Sequence, residues 1–157
     1  MDYIGLLKEI KTHLQTDANL TYIENVTIRK HPTDPPQFPS FDKYCILISP
    51  FSRQNKLIAL RAKQLNAKVD VVCVMKNFDQ ELSIIGNTLP NIGIIKMIDD
   101  VEESLFVFGE NNLESLEINY DEMTEGVDFK TKFNKEREAF FHEHALPYKV
   151  KFKKKTF

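Results

Sequence analysis

From Ala62 to Met75 the chain alternates. Leu65, Ala67, Val69, Val71, Cys73 and Met75 hold odd positions, and Gln64, Asn66, Lys68 and Asp70 fall between them. Period two is the mark of a β-strand with one buried face. A strand usually stops after roughly 5–6 residues. This one runs on through Lys76 and would reach roughly 45–50 Å at the rise of extended chain. Val72 and Val74 make its second half apolar on both faces, so that end is expected to be covered twice. The Ala62–Asp70 half is amphipathic and is expected to be less buried and to project.

The rest of the pattern supplies the partners. Tyr3, Leu7, Ile10 and Leu14 form one apolar stripe of a helix that Asp2 caps, and Asp17 and Asn19 end it. Asn25–Lys30 (NVTIRK) is β-branched and alternating, a first strand. A proline-rich connection follows (HPTDPPQFPSF), then DKYCILISP as a second strand ended by Pro50. Phe51 to about Lys56 reads as a loop, with a short helix over Asn55–Leu65 as the rival. After the long strand, NFDQELSIIGNTLPN is a connection. Ile94, Ile98, Val101, Leu105 and Phe108 define the clearest helix, with Asn91 or Thr88 as its cap and Gly109 at the C′ position. Leu116, Ile118 and Tyr120 share one face of a further strand, and MTEGVDFKTKFNKE is a loop or hairpin. Tyr148, Val150 and Phe152 alternate with lysines in a last strand, in which Pro147 marks a bend or an edge. The fold class expected is α+β: a mixed, mainly antiparallel β-sheet of four to six strands with two amphipathic helices packed on one face. Residues 1–157 are expected to form a single domain.

Composition changes this picture little. A net charge of −2 gives no global case for nucleic acid or an anionic membrane. Nothing resembles a targeting segment and no apolar run could span a bilayer, so the expectation is a soluble protein made in the cytoplasm. Cys45 and Cys73 read as reduced, buried thiols.

Candidate chemistry is thin. His142 and His144 share a strand face about 7 Å apart and could chelate a metal if His13 or His31 supplied a third ligand. Two half-exposed strand histidines is the commoner arrangement. LISPF and ELSII hold serines outside any nucleophile-elbow context, and none of the five glycines forms a dinucleotide or phosphate loop. Asp99, Asp100, Glu102 and Glu103 read as the solvated face of a helix. The basic, aromatic-interleaved YKVKFKKK fits a nucleic-acid groove, or an edge strand whose lysines block edge-to-edge pairing. No enzyme, cofactor or metal site is therefore expected. A strand longer than its core suggests instead an interaction or assembly protein.

The order of elements carries a resemblance. A first helix, a strand, a proline-rich run, FPSFDKYCILISP, a long alternating strand and GIIKMIDDVEESLFVFGENNLESLEINYDE resemble the tail terminator (tail completion) proteins of long-tailed bacteriophages. The specific parts are the proline-preceded strand ending in Pro50 and the helix Ile94–Phe108 with its asparagine-bearing turn at Gly109–Asn112. The chain departs from the pattern in the Lys76–Asn91 connection and the lysine-rich end. The resemblance implies a non-enzymatic virion protein that forms a homo-hexameric ring on the tail tube, stops tube growth and offers a surface to the head connector or head-completion protein. DNA would meet it only in transit through the ring lumen. The subunit interface would then use the start of the long strand and the segment beside it: Phe51, Arg53, Lys56, Ala62, Lys63, Leu65, Ala67 and Lys68. The alternatives are another ring protein of neck or tail, and a small nucleic-acid-binding protein using the lysine-rich C-terminal strand.

Overall fold

The computed structural model describes residues 2–29, 43–59, 62–113, 115–120, 130–134, 139–152 and 155–156; of these, the side chains of 51, 57–59, 62–63, 130, 132–134, 139 and 155–156 are not described. The first helix, α1 (Tyr3–Thr16), begins where Asp2 accepts a hydrogen bond from the Gly5 N–H at 2.6 Å. It buries Leu6, Leu7, Ile10 and Leu14. A single 3-10 turn, Ala18–Leu20, leads to β1 (Asn25–Ile28), which pairs in parallel with β2 (Tyr44–Ala59).

Strand β2 and strand β3 (Ala62–Asn77) form one antiparallel pair along their whole length, from Tyr44↔Met75 to Ala59↔Ala62. Two expectations fail here. The segment Phe51–Lys56 is strand and not a loop, and Asn55–Leu65 contributes to two strands and not to a helix. Pro50 does not end β2. The Ile48 carbonyl accepts from the Arg29 N–H, so Ile48 points its polar groups at β1, and Pro50 two residues on points the same way. There β1 has already ended, so the missing proline N–H costs no ladder bond, and a bulge between Pro50 and Ser52 absorbs the ring.

The connection after β3 holds a short helix, α2 (Gln80–Ile85), capped by Asp79, and a two-residue hairpin, β4 (Asn87–Thr88) with β5 (Asn91–Ile92). Helix α3 (Ile94–Asn111) buries Ile94, Met97, Ile98, Val101, Ser104, Leu105 and Phe108. Its N-cap is Gly93, not Asn91 or Thr88. A Cβ on Gly93 would stand 2.6 Å from the Ile84 carbonyl oxygen, so the close approach of α2 admits only glycine. Gly109 is not at C′ but inside the helix. The end comes at Asn112, whose side-chain amide donates to the Phe108 carbonyl at 2.8 Å.

Strands β6 (Leu116–Tyr120), β7 (Lys130–Asn134) and β8 (Ala139–Phe152) complete the sheet, with a two-residue β9 (Lys155–Thr156) against the far end of β3. The order is β1-β2-β3-β8-β6, with β7 also on β8. The fold is thus mixed α and β, with a mainly antiparallel sheet of six strands among the described residues besides β9. Strand β8 is central, which corrects the reading of an edge strand. Opposite β3 it is met by β7 at Ala139–Glu143 and by β6 at Tyr148–Phe152, and Pro147 falls in the gap between them.

One core cluster joins α1 and α3 to Ile46, Ile48, Val69, Val71, Cys73, Met75, Leu146, Val150 and Phe152. Leu7, Ile10, Leu14, Ile98, Val101 and Leu105 all lie in it, as their periodicity predicts. Cys45, Leu47, Val72 and Val74 are buried on the second face. Every residue from Val71 to Met75 is buried, whereas Gln64–Asp70 is mostly half-buried.

Candidate subunit interface

The distal β2–β3 pair is sparsely flanked among the described residues. Strand β1 reaches only Ile48 on β2, and β8 reaches only Asn66 on β3. Beyond those points β2 keeps one neighbour among the described residues, and β9 flanks β3 only at Ala62 and Lys63. Ser52, Arg53, Gln54, Asn55 and Lys56 are all exposed. This hairpin is an arm, held at its root where the Tyr3 hydroxyl donates to the Lys68 carbonyl at 3.2 Å. Burial pushes the Tyr3 pKa up, and the nearby Arg53 guanidinium acts against that rise.

The sequence-derived interface residues separate on the arm. Arg53 and Lys56 are exposed, while Leu65 and Lys68 are half-buried. Ala67 is only 3% exposed and belongs to the core, so it offers no surface. Phe51, Ala62 and Lys63 take their places in the strands as backbone, and their side chains lie outside the described ones. The register puts Arg53 opposite Ala67 on the helix side of the sheet. On the other side Ser52, Gln54, Asn66 and Lys68 meet Lys149 and Lys151 of β8 and Glu117 and Asn119 of β6 in a shallow depression of about 330 Å³.

The histidines are not half-exposed. His142 and His144 are buried on the helix side. His142 Nε2 lies 2.8 Å from the Ser83 hydroxyl, and Nδ1 lies 2.9 Å from that of Thr131. Ser83 donates its own proton to the Gln80 carbonyl at 2.6 Å, so it accepts from Nε2–H, and Nδ1 accepts from Thr131. Both ring nitrogens of His142 are thereby engaged in joining α2 and β7 to β8, and burial holds its pKa below the ordinary value. Ser83 is itself fully buried with its hydroxyl committed, which makes it a bridge and not a nucleophile. His13 bonds the Ser104 carbonyl at 2.8 Å and packs on Phe108, far from a ligand role beside β8; His31 lies outside the described residues. No group of three or more metal-ligating side chains occurs among the described residues.

Cys45 and Cys73 are free and buried on opposite faces of neighbouring strands. Burial pushes the Cys45 thiol up to about 12 and that of Cys73 further. In helix α3, Asp100 is not simply solvated. It accepts from Tyr22 at 2.8 Å and pairs with Lys96 at 2.6 Å.

An apolar surface was not foreseen. Phe78, Ile85 and Leu89, around α2 and β4, are all exposed by more than half, and Ile84 and Ile95 are exposed beside them in the chain. The sequence signal was available in the FDQELSII stretch, whose apolar residues exceed what one six-residue helix can bury. No helix among the described residues is long and apolar enough to cross a membrane. Compared with protein-family models and with curated proteins, the chain matches none.

Proposed function

We propose that the chain is a structural virion-assembly protein. It forms a ring, hexameric by the resemblance in its sequence, at the end of a phage tail tube, where it stops polymerisation and presents a surface to the head connector. The observation that carries this reading is the β2–β3 pair, sixteen residues in each strand, which carries exposed polar and basic side chains from Ser52 to Lys56, beyond the last β1 pairing at Ile48. Among the described residues this stretch of β2 has β3 as its one strand neighbour, and such an open edge can pair with another chain. The exposed Phe78, Ile85 and Leu89 are surface of the kind a non-identical partner, tube or connector, covers. The test is genetic. Particles made without the protein should carry tails of uncontrolled length that fail to join heads in electron micrographs. Tails of fixed length joined to heads would end the reading.

The Lys68, Lys149 and Lys151 side of the sheet favours a second reading, binding of nucleic acid by a polar, basic strand face. It predicts DNA affinity that falls steeply with salt and drops when Lys149 and Lys151 become glutamate. Salt-independent or absent binding removes it.

A further inference from the structure

Strand β6 ends the strand order, and among the described residues β8 is its one strand neighbour. In an antiparallel pair every second residue turns its N–H and C=O away from the partner. The outer edge of β6, five residues long, therefore presents backbone donors and acceptors. A groove of about 730 Å³ lies between this strand and α3. Ile118 and Tyr120 line it from the helix side of β6. Glu117 and Asn119 line it from the other side, where they also meet Lys149 and Lys151. A cavity lined from both faces of one strand runs along that strand's edge.

The groove is acidic and partly apolar. Asp99, Glu102, Glu103 and Glu110 of α3 line it with Glu117, and no lysine or arginine does among the described residues. Glu117 also faces Lys151 across the ladder, so the α3 carboxylates set the sign of the groove. Burial first, and Asp99 second, push the Glu102 pKa up. Phe106 and Leu113, 66% and 57% exposed, add apolar surface to the same lining.

These properties together select an occupant. An open edge takes an extended segment, which adds a strand through main-chain hydrogen bonds. Successive side chains of that segment point to opposite faces, so alternate ones turn toward α3. Lysine or arginine there lays its aliphatic stem on Phe106 and carries its charge to the carboxylates. A second copy pairing through its own β6 would bring like charge against like. Strand β1, at the other end of the strand order, holds no lysine or arginine from Asn25 to Ile28.

We propose that the groove between α3 and β6 binds an extended, basic and apolar segment of another protein, which pairs with β6 as a further strand. Such binding does not depend on ring formation, so either can fail without the other.

The probe is a blocked, labelled peptide, arginine-threonine-leucine-lysine-valine-threonine-arginine. As a strand it turns leucine, valine and both arginines to one face and lysine to the other. Fluorescence anisotropy against the full chain should show saturable binding. Glu110→Lys with Glu117→Lys, both at exposed positions, should weaken it about tenfold or more. Phe106→Ala should weaken it as well. Hydrogen exchange of the Leu116–Tyr120 amides should slow in the complex. Two peptides of the same charge, N-methylated at alternate residues in the two possible phases, should differ in affinity by about tenfold or more, because only one phase blocks the amides that face β6. Equal affinity of the two reduces the contact to charge and overturns the added strand. Slowed exchange at Ser52–Lys56 in place of β6 overturns the site, as does the absence of saturable binding. Self-association that Phe106→Glu abolishes, with no peptide bound, gives the groove to a second copy and overturns the choice of partner.

Discussion

His142 joins three elements through one neutral ring: itself on β8, Ser83 on α2 and Thr131 on β7. Because burial depresses its folded-state pKa, the unfolded chain takes up the proton first as pH falls. Its contribution is therefore complete above the unfolded value of about 6.5 and declines as pH drops from there toward the folded value. Chemical denaturation across this range should show that decline, and His142→Gln should flatten it while costing about 1–2 kcal/mol at pH 8. Equal slopes for the two proteins would mean that the ring is not held neutral. Two glycines make an opposed pair. Gly93→Ala drives a Cβ into the Ile84 carbonyl and should destabilise by about 1–3 kcal/mol. Gly109→Ala meets only Ile118 Cβ at 3.8 Å inside a helix and should stabilise by about 0.5–1 kcal/mol. Thermal melts of the two variants should move in opposite directions.

At the scale of elements, α3 carries the most periodic burial, and Val101 at its centre is fully enclosed. Val101→Asp places an unpaired carboxylate among apolar neighbours and should cost about 3 kcal/mol or more, read as a lower denaturation midpoint. A variant that melts like its parent would remove α3 from the core. Helix α3 and the Gln64–Asp70 half of strand β3 were legible in the sequence because each buries chiefly one face, and one-sided burial writes a period into the residues. Strand β2 was not. Its Ser52–Lys56 stretch is exposed on both sides, so SRQNK carries no period, and Pro50 imitates an end although its ring faces an edge that has no neighbour there among the described residues. Strand β8 was misplaced for a related reason. Its lysines mark the solvent side of a central strand as readily as they mark an edge, and sequence does not show what pairs laterally. In the candidate interface, Arg53 and Lys56 were found as exposed polar positions, and Ala67 was lost because alternation alone does not tell which face is inward. A groove between α3 and β6, lined by Glu102, Phe106, Glu110 and Tyr120, was hidden because its carboxylates read as a solvated helix face. The contrary signal was Phe106, an aromatic residue off the apolar stripe.

For the whole molecule, the ring reading proposed above has folding and assembly draw on different parts of one sheet. Among the described residues the core cluster ends near Leu65 and Ala67, and Ser52–Lys56 across from them on β2 are exposed. Asn55 and Leu65 stand opposite each other in register. Replacing Lys56–Gln64 by Asn-Gly would close the hairpin there with the two-residue turn that twisted antiparallel strands favour. The ladder lost is that between Lys56 and Gln64 and the β9 pairing at Ala62 and Lys63. The shortened chain should stay folded, with a melting temperature within about 5 °C of the parent, since a change of about 1 kcal/mol shifts a domain of this size by no more than that. On the ring reading its capacity to assemble should vanish, because the part removed belongs to the arm proposed to meet a neighbour. Sedimentation of both proteins at high concentration, and the state of tails in particles carrying the shortened gene, read the two properties separately. A shortened protein that still forms rings and still caps tails would show that the arm is an ornament of the fold and that the contacts of assembly lie elsewhere.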